Sequence, residues 1–98
     1  MSIKYRCKNL SELIDFVLFV AICAPNDFPK AYKLDLEEAF AKINESLDTS
    51  SAEIGDMHKM QRMRQLSADA HEAYRRGDDV KGAHLLQDMA QALKKKAA

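Results

Sequence analysis

Ile3-Lys4-Tyr5-Arg6-Cys7-Lys8 alternates apolar and basic side chains, the period of a half-buried strand. No second strand pattern follows, so this stretch is expected to lie extended on helices or to pair with the same arm of a second subunit. Beyond it the period becomes helical. Asn9 followed by Glu12 reads as a capping box opening a first helix over residues 10–24. Ser11, Glu12 and Asp15 give its first turns a polar side. Phe19 and Ile22 occupy that same side further on, so the second half is apolar all round. In a small protein such a segment is a central helix or a subunit interface, and Phe16, Phe19, Val20 and Ile22 are the expected contact residues.

Pro25-Asn26-Asp27 interrupts the pattern, and Asp27 suits the N-cap of a second helix. Phe28, Tyr32, Leu36, Phe40, Ile43 and Leu47 then recur at spacings of three or four, with Pro29 tolerated in the first turn. Asp48 to Ser51 reads as a loop, and Ser50 with Glu53 repeats the capping-box spacing ahead of a third helix over 52–76. Met60, Met63, Leu66, Ala70, Ala73 and Tyr74 share one broad face of it. Gly77 is a natural C-cap, and Asp78 or Asp79 starts a last helix reaching residue 96. So short a connection makes the last two helices an antiparallel hairpin. The fold class is therefore all-α: one domain of four helices in two helical hairpins, with an extended arm at 1–9, a first helix pair at 10–48 and a second at 50–96.

Composition narrows the function classes. Ninety-eight residues with only 3 Gly and 2 Pro exclude collagen-like, low-complexity and turn-rich all-β chains. A formal charge of +0 removes the case for a wholesale nucleic-acid or membrane-surface binder. Cys7 and Cys23 make neither a disulfide framework nor a zinc site, which points to a reducing compartment, the cytoplasm. Lys4, Arg6 and Lys8 precede an apolar run, as in a signal peptide, but Glu12 and Asp15 interrupt it and Ile22 is bulky for a residue before a processed cysteine. The uninterrupted run over 16–24 is far below the ~20 residues that span a bilayer. Charge is also blocked along the chain. Residues 35–56 carry one basic and seven acidic groups, and residues 57–98 nine basic against five acidic. An acidic middle beside a basic end favours self-association or a charged partner.

Candidate chemistry is sparse. Met57, Met60 and Met63 with His58 have the ligand types of a soft-metal site, but His58 falls about 160° round the helix from Met60, so core packing is the better role for the methionines. His71 shares a stripe with Arg64 and Arg75, at spacings of seven and four, suited to a phosphate or carboxylate. The three histidines are otherwise expected on solvated surface. With no bundle-type ligand pair, glycine-rich phosphate loop or nucleophile with a base at diagnostic spacing, no metal, cofactor or catalytic residue is expected.

Three stretches bear a family resemblance. Ala70, Ala73-Tyr74, Gly77-Asp78, Ala83, Leu86 and Ala90 faintly resemble one tetratricopeptide repeat, with Gly82 at an expected small position; a single unit implies only an ordinary helical hairpin. Leu36-Glu37-Glu38-Ala39 followed by Ala52-Glu53-Ile54-Gly55-Asp56 resembles the metal-binding helices of the all-α nucleotide pyrophosphohydrolases. That resemblance implies magnesium held by Glu37, Glu38, Glu53 and Asp56 against nucleotide phosphates. Ala41 stands where the family has a further glutamate, and the residues after Asp56 are polar where the family is apolar. The basic arm followed by two helices resembles the ribbon–helix–helix DNA-binding fold, which implies Lys4, Arg6 and Lys8 reading a major groove from paired strands of a dimer. Here Pro25 to Pro29 replaces the family's glycine-containing turn, and the following helix is acidic outside, where phosphates are repelled.

The chain is expected to be a small non-catalytic protein-interaction module: an adaptor, inhibitor or accessory subunit, homodimeric and cytoplasmic, with another protein as partner. The DNA-binding regulator and the magnesium-dependent pyrophosphohydrolase are its alternatives.

Overall fold

The computed structural model describes residues 9–24, 28, 30 and 34–94. Those residues form helices α1 (Leu10–Cys23), α2 (Leu36–Thr49), the single turn α3 (Ser51–Ile54), α4 (Met57–Arg75) and α5 (Asp79–Lys94), with no strand among them. The arm at 1–8 lies outside the described residues, as does Asp27.

Each start has a local cause. The Asn9 side chain accepts the Glu12 N–H at 2.9 Å, as the capping pattern required. The second helix begins later than its apolar spacing implied. Phe28 and Leu34 are not α-helical, and the Asp35 carboxylate accepts the Glu38 N–H at 2.8 Å to start α2 at Leu36. The third helix is two helices. Gly55 adopts φ +73, the left-handed backbone that ends a helix, and Asp56 caps α4 by accepting from the N–H groups of His58 and Lys59. Ser50 caps nothing with its side chain; its hydroxyl is buried without a hydrogen-bond partner. At the far end of α4, Gly77 (φ +82) closes a Schellman motif: the Asp78 N–H donates to Ala73 O at 2.8 Å and the Gly77 N–H to Tyr74 O at 3.1 Å.

The core is one cluster. Leu13, Phe16, Val17 and Val20 of α1 meet Leu86, Met89 and Leu93 of α5, while Phe40, Ile43 and Leu47 of α2 meet Met63, Ala70 and Tyr74 of α4. The broadest contacts are α4 with α5 and α1 with α5; α2 lies on α4 and, less extensively, on α1. The turn α3 adds Ile54, 5% exposed. Of the three methionines weighed against a metal site, Met63 is fully buried, Met60 half-buried and Met57 exposed.

Candidate functional site

The stripe Arg64–His71–Arg75 exists on α4, and it faces α2. Glu37, in the first turn of α2, accepts from Arg75 Nη2 at 2.5 Å and sits 2.6 Å from His71 Nε2. At the other end of α2, Asp48 pairs with Arg64. Between them the Ser67 hydroxyl reaches the Asn44 side-chain oxygen at 3.4 Å. Residue numbers rise on α2 as they fall on α4, so these contacts are rungs of an antiparallel polar seam.

One end of the seam suits the helix dipoles, with the Glu37 carboxylate at the start of α2 paired to Arg75 at the end of α4. The Arg75 guanidinium, aided by His71, holds the Glu37 carboxyl down at about 2. His71 is half-buried rather than solvated, its ring lying parallel to that of Phe40 at 4.5 Å and 2°. His58 and His84 are exposed, as expected. The side chains of the stripe are thus engaged by carboxylates of α2 in the same chain. The sequence signal for this lay in Glu37 and Phe40, three apart on α2, which turn one face to α4.

The four carboxylates implied by the pyrophosphohydrolase resemblance have separate tasks or surroundings. Glu37 belongs to the seam, Asp56 caps α4, and Glu53 accepts the Leu10 N–H at 3.1 Å, closing the start of α1. Glu38 is exposed. Among the described residues no group of three or more His, Cys, Asp or Glu side chains is placed to hold a metal ion. Glu53 at the start of α1 was invisible in the sequence, because a carboxylate 43 positions away carries no periodic signature.

The four expected interface residues divide. Phe16 and Val20 are 0% exposed within the chain's own core. Phe19 is half-buried, its ring 6.1 Å from those of Phe16 and Phe28. Ile22 is 80% exposed, so the second half of α1 is not covered on every side. Ile14 and Leu18, half-buried, extend the same apolar outer stripe toward the start of the helix. Lys4, Arg6 and Lys8 lie outside the described residues. Among the described residues no helix is long and apolar enough to cross a membrane. Comparison with family models, with curated proteins and with solved structures returns no match to this chain.

Proposed function

We propose that this chain is a small non-catalytic interaction module, an adaptor, inhibitor or accessory subunit, that works in the cytoplasm as a homodimer and engages another protein. The observation that carries this reading is the outer stripe of α1, where Ile22 is 80% exposed beside half-buried Leu18 and Phe19. Ile22 is the large apolar side chain that α1 leaves exposed among the described residues, and half-buried Leu18 and Phe19 border it, which supports a contact surface at this end of the helix. Covering one isoleucine is worth about 1.5–3 kcal/mol, and a two-fold pair of α1 helices covers it twice.

The test is the solution mass of the full chain and of Ile22→Glu, measured by sedimentation equilibrium with circular dichroism as the folding control. A dimeric wild type and a helical, monomeric variant are expected. A monomeric wild type, or a variant with unchanged dimer mass, refutes the reading.

A further inference from the structure

Beside the turn of the α4–α5 hairpin is an open cleft of about 260 Å³, lined by Asp69, Glu72, Arg76, Lys81 and Leu85. Two cations and two carboxylates surround one space without closing on one another. Asp69 accepts from the Gln65 amide at 2.9 Å, and among the described residues none of the four forms an ion pair. The α2–α4 seam behaves otherwise: the Arg75 guanidinium closes on the Glu37 carboxylate at 2.5 Å.

Glu72 and Arg76 stand four residues apart, about 6 Å of helix rise, and Asp69 lies another turn from the hairpin. Lys81 belongs to the first turn of α5 and Leu85 to the next. In the antiparallel hairpin Arg76 lies nearest the turn, Glu72 and Lys81 face each other from the two helices about one helical turn from it, and Asp69 and half-buried Leu85 lie a further turn away. A phosphate would match the cations and meet two carboxylates. A polyamine would do the reverse. Only a ligand carrying both charges satisfies both the cations and the carboxylates, and the volume falls just below the 300–1,000 Å³ usual for drug-sized ligands.

We propose that this cleft binds a small zwitterion of the aliphatic α-amino acid class. Its carboxylate meets Arg76 and Lys81, its ammonium meets Glu72 and Asp69, and its side chain lies on Leu85. The site is independent of the α1 stripe, so either can fail without the other.

The experiment titrates the full ¹⁵N-labelled chain with leucine, with N-acetyl-leucine, which lacks the ammonium, and with leucinamide, which lacks the carboxylate. Leucine is expected to give saturable amide shifts confined to residues 69–85. Each blocked analogue should bind about tenfold more weakly, the loss of a charge-assisted contact. Replacing Arg76→Gln and Lys81→Gln together should remove the preference for leucine over leucinamide. Absence of saturable shifts, shifts centred elsewhere, equal binding of the three compounds, or an unaltered preference in the double variant each overturns the proposal.

Discussion

Replacing Gly82→Ala sets two known effects against each other at one atom. In the interior of α5 the change should stabilise, because glycine costs about 1 kcal/mol relative to alanine in a helix. The added Cβ, however, would lie 2.7, 2.8 and 2.9 Å from three carbons of the Tyr74 ring. That ring is 4% exposed and is flanked by Phe40, with centroids 6.0 Å apart, so it has little room to retreat. Overpacking of this kind costs about 1–3 kcal/mol. The clash wins, for a net loss of about 1 kcal/mol, or a Tm lowered by roughly 4–8 °C in a chain of this size. Removing the ring should reverse the sign. In a Tyr74→Leu background, itself less stable, Gly82→Ala should gain about 1 kcal/mol, a coupling near 2 kcal/mol between the two sites. Urea unfolding of all four proteins, with midpoints and slopes fitted together, measures it. A stabilising Gly82→Ala in the presence of Tyr74, or the same increment in both backgrounds, would show that the two helices do not approach as described.

The Tyr74 hydroxyl is buried without a hydrogen-bond partner, and burial raises its phenol to about 12 from an ordinary 10. A raised value stabilises the fold fully below pH 10 and loses that contribution as pH rises toward 12. Because the neutral hydroxyl is buried unpaired, Tyr74→Phe should gain up to about 1 kcal/mol near neutrality, and it should lack the alkaline loss; urea midpoints against pH decide it, and a large loss at neutral pH counts against an unpaired hydroxyl. Glu37 behaves in the opposite sense. Its carboxyl, held at about 2 against 4.5, stabilises above pH 4.5 and fades as pH falls toward 2. Glu37→Gln should unfold at lower urea than wild type near neutrality, with the gap narrowing over that acid range; a constant gap would refute the seam's role.

The parts of this fold legible in the sequence are those with local causes. Asn9 as a cap, the apolar ladder from Leu36 to Leu47 and Gly77 at the hairpin each depend on residues a few positions apart. Boundaries failed where two local signals competed. The ladder of apolar residues reaches back to Phe28, but a capping carboxylate at Asp35 starts the helix at Leu36. Helix periodicity likewise runs through Gly55 undisturbed, since period registers which face a side chain occupies and not the sign of φ. The site was half legible. Spacing alone put Arg64, His71 and Arg75 on one side of α4, whereas the identity of the anion facing them depended on how α2 lies across that helix.

That packing also changes the meaning of the charge blocks. An acidic stretch followed by a basic one suits attraction between copies, yet Glu37, Asp48 and Glu53 are engaged within the chain, by Arg75 with His71, by Arg64 and by the first turn of α1. Charges satisfied internally add little to association, and exposed pairs of this kind are heavily screened by solvent. Much of the electrostatic complementarity seen along the sequence is therefore used to hold α2 and α3 in place. Ile22, the exposed large apolar side chain of α1, lies on the helix whose inner side already fills the core with Leu13, Phe16, Val17 and Val20. A second copy drawn to that helix would be held by Ile22 and Leu18 rather than by charge, so its affinity should change little with salt.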